Sequence, residues 1–322
     1  MKKWITSNYH YLVPEIDETT TIDPDFAFFL ADVKRGVEFL GKDKASPVVV
    51  GPVTMAYLAN SSNRGGSALK NVRLSLVEKL VPVYRSLLLQ LNEMGVTEIQ
   101  VHEAALVFED PSLLPMFSKA YPAILVGNKA SINVVSFMED VGKEHYKWLI
   151  SVDEFRIVSL DFTRGDTLGL IREFGFPSSK VLGAGLVDTR SVWRVDPSSL
   201  EATLKDLTNL VATIRIQPSG SLQYTPWDLS CEKEILDHPA GGVLAFAAQK
   251  LEEVSLVAKA IRDPSALEIV RSAWEKYRFF VQTDKSVSDR MKALTEEDFH
   301  RAEPFSARRS KQLKGALLST KN

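Results

Sequence analysis

The sequence predicts an α/β protein: an incomplete (β/α) barrel of the TIM type with about six strands, followed by an appended C-terminal helical hairpin. Apolar runs of strand length alternate with helical patterns, in units of roughly 30 residues. This alternation indicates βαβ units and a parallel sheet. Polar residues recur where the predicted strands end. Because barrel sites collect side chains from several strand ends, this recurrence favours a barrel over an open sheet.

The predicted elements follow in order along the chain. Residues 3–15 (KWITSNYHYLVPE) are rich in aromatic side chains without a regular period, which indicates an ordered segment lying across a surface. Asp23 and Pro24 then open a helix, whose expected buried face consists of Phe28, Phe29, Val33, Val37 and Leu40. Strands are predicted at residues 47–55, 98–106, 131–137, 156–163, 181–187 and 213–219. Helices are predicted at about residues 72–94, after Asp110, and at 166–174, 198–211 and 243–262.

The barrel is expected to cover residues 1–262, and the helical hairpin with its tail residues 263–322. Two strands of the usual eight are missing from the count, so the predicted barrel has an open edge. We expect that edge beside the strand at residues 47–55, unless another segment or chain covers it.

The fifth predicted strand breaks abruptly into polar residues. Gly183 and Gly185 lie inside its apolar run, and such glycines mark the close approach of another backbone or of a ligand. Asp188 and Arg190 stand where the strand ends, at the edge that carries ligand sites in parallel α/β folds. Alternatively, Asp188 or Thr189 caps a helix and Arg190 pairs with a nearby carboxylate.

Other strand ends add further candidate residues. His102 and Glu103 could form an acid/base or metal pair. Neighbouring side chains on a strand point to opposite faces, however, so the competing interpretation has one of them buried and hydrogen-bonded and the other on the rim. Asp161 ends another strand. Asp188, Arg190 and Trp193 are expected to shape the site by fixing its loops, since an arginine bidentate to a carboxylate orders a loop.

Composition excludes several classes of function. The chain has 322 residues, of which 45% are hydrophobic, and a formal net charge of −2. This charge gives no electrostatic reason to expect a nucleic-acid or membrane partner. Cys231 is the only cysteine, so neither an internal disulfide nor a zinc site with several thiolates is possible, and no metal site is predicted. No signal peptide or membrane-spanning stretch of about 20 apolar residues is evident, so a cytoplasmic location is expected.

Six stretches of the chain together resemble one family. They are KWITSNYHYLVPE, VVVGPVTM, EIQVHEAALV, GLVDTRSVWR, IQPSGSLQYTPWDLSCE and LAFAAQKLEEV. They occur in the order found in the N-terminal half of cobalamin-independent methionine synthase. The resemblance runs from Lys3 to about Arg309.

The resemblance implies a fold and a set of partners. The family enzyme has two (β/α)8 barrels and transfers a methyl group from 5-methyltetrahydropteroyltriglutamate to homocysteine. Its C-terminal barrel binds zinc, and its N-terminal barrel helps to hold the folate and its glutamate tail. Lys3 is the one tail-binding residue that the matching blocks carry over to this chain. The run from His102 to Leu106 departs from the family's usual Asp-Glu-Pro-Ala-Leu, which puts an inherited polar contact there in question.

The expected function follows from the resemblance of the chain to the N-terminal half of the family enzyme. It is expected to supply scaffold and folate-tail binding, with no catalytic residue and no cofactor of its own, since zinc belongs to the family's other barrel. Methyltetrahydrofolate polyglutamate and a chain carrying the catalytic barrel are the expected partners. Whether the chain is itself an enzyme is left open. The alternatives are a non-catalytic binding or regulatory relative, and a truncated fragment without independent activity.

Overall fold

The structure is a computed structural model that describes residues 1–16, 19–60 and 66–319. Its strands are β1 (Lys2–Lys3), β2 (His10–Tyr11), β3 (Val48–Val50), β4 (Glu98–His102), β5 (Ser131–Ser136), β6 (Phe155–Asp161), β7 (Val181–Val187) and β8 (Ile214–Pro218). The helices up to β8 are α1 (Ala27–Leu40), α2 (Pro52–Leu58), α3 (Gly66–Glu93), α4 (Leu113–Ile124), α5 (Lys143–Ser151), α6 (Thr167–Phe174) and α7 (Pro197–Leu210). They are followed by α8 (Lys233–Leu236), α9 (Ala247–Ala260), α10 (Glu268–Thr283), α11 (Lys285–Ala293) and α12 (Phe305–Ser319).

The main sheet has six parallel strands that pair in sequence order, from β3 to β8. This confirms the predicted α/β class and the strand number. Among the described residues the ladder is not closed, so β3 and β8 are its two edges. Val48 and Val50 of β3 are 47% and 41% exposed, which places an open edge where the sequence predicts one. Contacts divide the chain into two compact units, Met1–Trp274 and Glu275–Asn322, so the first unit extends beyond the predicted boundary at Arg262.

Two predicted strands are too long at their carboxyl ends. The strand expected at residues 47–55 ends at Val50, because Pro52 occupies the first turn of α2, where a proline's fixed φ and missing N–H fit. The strand expected at residues 98–106 ends at His102 and continues as a 3-10 turn over Ala104–Val107. In both cases the chain leaves the sheet within an apolar run, so hydrophobicity alone does not mark the boundary.

The predicted buried face of α1 is only partly correct. Val33 is buried, and Phe29 and Val37 pack against the core. Phe28 and Leu40 are 81% and 50% exposed. Phe28 precedes Val33 by five positions, which turns it roughly 140° around the helix, and Leu40 is the last residue of α1.

The inner face of the sheet carries a layer of polar side chains. Along β4, Ile99 and Val101 are buried, while the alternate residues belong to the other face. Hydrogen bonds and one ion pair connect the inner side chains of four strands: Glu98, Asn133, Ser159, Arg215 and Gln217.

The longest-range member of this layer is a bidentate ion pair between β4 and β8. Arg215 Nη1 and Nη2 lie 2.7 and 2.9 Å from the two carboxylate oxygens of Glu98. These strands are not neighbours in the sheet order. The sheet therefore curls far enough for side chains of its second and sixth strands, β4 and β8, to meet across its inner side, as in a barrel.

Gly185 is required by the close packing of three strands. A Cβ at this position would lie 2.8 Å from the carbonyl oxygen of Leu160 and 2.9 Å from the Cα of Ser219, both backbone atoms. We expect Gly185→Ala to lower the free energy of unfolding by about 1–3 kcal/mol, measured by urea denaturation. The matched control is Gly36→Ala within α1, where a Cβ meets nothing within 4 Å. It should stabilise the protein by up to about 1 kcal/mol, and equal effects of the two substitutions would contradict the packing argument.

Among the helices that the structure describes, none is long and apolar enough to cross a bilayer.

Candidate functional site

The N-terminal residues 2–11 form an arm at the carboxyl ends of the strands. The arm is a small antiparallel hairpin in which Lys3 pairs with His10. Lys2 Nζ donates to the carbonyl oxygens of Leu58 and Ala59 at 2.8 and 3.1 Å, at the end of α2. Burial is the main reason that the pKa of Lys2 is lowered. The arm is thus an ordered segment, and its position is set by specific hydrogen bonds.

Arg190 fastens the arm to the loop that follows β5. Its guanidinium donates to Thr6 Oγ1 at 3.2 Å, to the Thr6 carbonyl oxygen at 3.1 Å and to the Met138 carbonyl oxygen at 3.3 Å. Thr6 Oγ1 also donates to the Met138 carbonyl at 3.0 Å. Arg190 therefore binds two loops together, through carbonyl and hydroxyl oxygens rather than the expected carboxylate.

Asp188 forms a local turn. Its Oδ1 accepts a hydrogen bond from the backbone N–H of Arg190 at 2.8 Å. The alternative prediction of a helix cap at Asp188 or Thr189 is wrong, because the next helix, α7, begins at Pro197 and is capped by Asp196. The turn instead orients the residues that lead into Arg190.

Asp161 supports a strained backbone position. Met138 has φ of +89°, and Ile5 in the arm has φ of +53°, a region that residues other than glycine rarely adopt. Asp161 is buried and accepts from the N–H of Met138 at 3.2 Å and from both N and Oγ1 of Thr163 at 2.7 Å. Burial raises the pKa of Asp161, against the lowering effect of these hydrogen bonds. Such strain persists only where the surroundings hold it in place, and Asp161, Thr6 and Arg190 are the groups that do so.

His102 and Glu103 enter different environments. His102 lines a recess inside the sheet, with its Nε2 3.4 Å from Oε1 of Gln100 and its ring edge-on to Phe137. Burial lowers the pKa of His102 to about 4. Glu103 is fully buried and bonds to α2 and α4. The structure therefore does not bring the two together as an acid/base or metal pair.

Glu103 holds the first turn of α2 from a neighbouring strand end. Its Oε1 accepts from the N–H of Val53 at 3.1 Å and from the hydroxyl of Tyr121 at 2.7 Å. Its Oε2 accepts from the N–H and the hydroxyl of Thr54 at 2.8 and 2.6 Å. A Cβ on Gly51 would lie 2.0 Å from the Glu103 carboxyl carbon, so this arrangement requires glycine. Burial raises the pKa of Glu103, while all four hydrogen bonds act in the opposite direction.

Trp193 lies beside two buried charged residues that sequence reasoning missed. Trp193 is 41% exposed, and the centroid of its ring lies 6.1 Å from that of Trp274. Lys250 donates to the Trp193 carbonyl oxygen at 3.1 Å, and Glu253 accepts from the N–H of Val195 at 2.9 Å. Both side chains are almost fully buried. Their three-residue spacing on α9 could have indicated that Lys250 and Glu253 lie on one face of the helix. The same spacing is also typical of ion pairs on the solvent-exposed side of a helix, so it does not predict burial.

Lys3 is exposed on the arm, with its Nζ 3.3 Å from Oδ1 of Asn8. The residues that line the recess do not include it. Across residues 1–16, 19–60 and 66–319, no three His, Cys, Asp or Glu side chains are grouped so that they could hold a metal ion.

The recess has a volume of about 620 Å³ and lies between the arm, the inner faces of the strands and the loop after β8. Residues from both sheet edges line it, Val48 and Val50 from β3 and Gln217 from β8. Among its polar groups, sequence reasoning singled out His102 but not Gln100. The alternation of polar and apolar residues in EIQVH, residues 98–102, is the pattern that could have revealed them.

Comparison with known proteins identifies relatives over nearly the whole chain. Residues 1–212 match the family model described as "Cobalamin-independent synthase, N-terminal domain". Proteins named 5-methyltetrahydropteroyltriglutamate–homocysteine methyltransferase from Trichodesmium erythraeum and a Synechococcus strain are each 39% identical to this chain. The matches cover 98% and 99% of this chain but 41% of each relative. The chain thus spans about two-fifths of the length of these curated relatives.

A solved B12-independent methionine synthase from Shewanella is 15% identical, with a TM-score of 0.48, over 76% of this chain and 68% of the solved one.

Proposed function

Because the chain belongs to the cobalamin-independent methionine synthase family, matching its N-terminal domain, we propose that it provides scaffold and folate-tail binding for methyl transfer to homocysteine. The arm holds the glutamate tail of a methyltetrahydrofolate through Lys3, and a catalytic barrel carries out the reaction. That barrel lies on the same polypeptide or on a partner chain. We propose that the protein performs this function in the cytoplasm.

The ordered arm is the single observation that carries the proposal. Lys3 pairs with His10 in the hairpin, and Lys2 and Thr6 fasten the arm on either side of it. A lysine ammonium on a fixed backbone is a point charge suited to a carboxylate. Its exposure leaves it accessible to an anionic chain.

We assign the zinc chemistry to the catalytic barrel and not to this chain. Zinc would lower the pKa of the homocysteine thiol and so provide the nucleophile. Cys231 is exposed, and the described part of the chain contains no cluster of three metal-ligating side chains. We therefore assign no step of the reaction to these residues and propose that the catalytic barrel holds the zinc.

Lys3→Ala should weaken the binding of methyltetrahydrofolate triglutamate by roughly 2- to 5-fold, as expected for one exposed charge contact worth up to about 1 kcal/mol. Isothermal titration calorimetry measures the change, and added salt should reduce the difference. Lys129→Ala is the matched control, since Lys129 is exposed and precedes the amino end of β5. Equal loss of affinity in both variants would exclude a specific role for Lys3.

An assay of the chain alone tests the assignment of the chemistry. With zinc, homocysteine and methyltetrahydrofolate triglutamate present, no turnover is expected. Methionine formation by the purified chain would overturn the scaffold assignment. The alternative class, a binding or regulatory relative that has lost the folate, requires that the wild-type chain give no calorimetric signal with folate polyglutamates.

A further inference from the structure

Two phenylalanine side chains lie on the solvent side of α1. Phe28 and Phe39 are 81% and 88% exposed. They are eleven positions apart, close to three helical turns, so they point in directions within about 20° of each other. The opposite side of the helix is covered, since Val33 is buried and Val37 packs against the core. Single exposed apolar residues are common on protein surfaces, but two rings aligned on one helix face form a continuous feature.

A charged pair lies between the two rings. Asp32 and Arg35 form an exposed ion pair one turn apart, and both lie within about 40° of Phe28 around the helix axis. The four residues follow each other at spacings of four, three and four positions. These are the spacings of the seam along which two helices pack in a coiled coil. We call this set, Phe28, Asp32, Arg35 and Phe39, the α1 stripe.

The α1 stripe is complementary to itself in the antiparallel orientation. The midpoint of the two phenylalanines and the midpoint of the two charged residues coincide, at the middle of α1. A two-fold axis through this point sets each Phe28 opposite the partner's Phe39. It also sets each Asp32 opposite the partner's Arg35. In a parallel pair each charged residue would face its own copy, and like charges repel.

We propose that α1 is a self-association surface, on which a second copy of this chain docks by antiparallel pairing of the two α1 stripes. The rings then cover each other at both ends of the interface, and the four charges between them alternate in sign. The helix has 14 residues and is about 21 Å long. Such a pairing alone buries less than the roughly 1,200–2,000 Å² of a stable complex. The association is independent of Lys3 and goes beyond the proposed function.

Sedimentation equilibrium of the whole chain over a series of concentrations measures this association. Because the interface is small, a weak dimer is expected, with a dissociation constant on the order of 10–100 µM. A chain that remains monomeric up to about 500 µM, well above that constant, would overturn the proposal.

Substitution of a ring locates the interface. Phe28→Ala should weaken the dimer at least about 10-fold, because it removes a ring from both ends of the interface. Phe279→Ala is the matched control, since Phe279 is 69% exposed and lies on a different helix, α10. This variant should dimerise as the wild-type chain does. Equal weakening by the two substitutions would show that the association does not use the α1 stripe.

Exchange of the charges tests the antiparallel pairing. Asp32→Arg places four like charges at the centre and should weaken the dimer at least about 10-fold. Adding Arg35→Asp to this variant restores opposite charges across the axis and should return the affinity to within about 3-fold of the wild type. Lys34→Glu is the matched control, because Lys34 pairs with Glu38 outside the stripe. Failure of the double exchange to recover the dimer, or an equal loss in Lys34→Glu, would contradict the pairing.

Discussion

Glu103→Ala should lower the free energy of unfolding by about 3–5 kcal/mol, the largest effect expected in this chain. The carboxylate receives four hydrogen bonds, two from backbone N–H groups of α2 and two from the hydroxyls of Thr54 and Tyr121. Truncation leaves these donors without partners in a site closed to water and opens a cavity. Urea denaturation of the variant and the wild-type chain measures the difference.

Two further variants separate the carboxylate from general effects of charge removal. Tyr121→Phe removes one donor and should cost about 1 kcal/mol. Glu109→Ala removes an exposed carboxylate from the same stretch and should stay within about 0.5 kcal/mol of the wild type. If Glu103→Ala were no more destabilising than Glu109→Ala, the carboxylate would not be holding α2.

Acidification should weaken the fold through His102, by at most about 3 kcal/mol between pH 6.5 and pH 4. The pKa is about 4 in the folded chain, below the unfolded value of 6.5. Between these two values the unfolded chain binds more protons, so stability rises with pH across this window and is lost as pH falls. Chemical denaturation at a series of pH values in this interval tests the expectation.

The contribution of His102 is isolated by His102→Gln, which cannot titrate. The difference in stability between this variant and the wild type should change with pH across the same window and become constant above it. NMR titration of the His102 ring provides a direct check. A midpoint near pH 6.5 would show that the recess does not disfavour the imidazolium.

The contacts of Glu103 and Arg190 join residues that are far apart in the sequence, so the local sequence does not specify them. Glu103 and Thr54 are 49 positions apart, and Arg190 reaches Thr6 across 184 positions. A carboxylate at a strand end has the same sequence pattern whether it is exposed to solvent or is buried and accepts four hydrogen bonds. Arg190 bonds to hydroxyl and carbonyl oxygens rather than to the expected carboxylate, and its role in shaping the site stays a prediction. The role of Lys3 in tail binding stays a prediction.

The sequence by itself determined the alternation of strands and helices and the parallel sheet of six strands, because these follow from the period of apolar residues along short segments. The open edge at β3 was predicted from the count of six strands against the eight of a closed barrel. The resemblance to the family was also recognisable from six stretches of sequence that occur in the family's order. Only the tertiary structure decided where β3 and β4 end, which charged side chains are buried, and that Glu98 meets Arg215 across the lumen. These features arise when the sheet curls and brings residues that are distant in the sequence together. The residues on either side of each position in the sequence do not indicate such a contact.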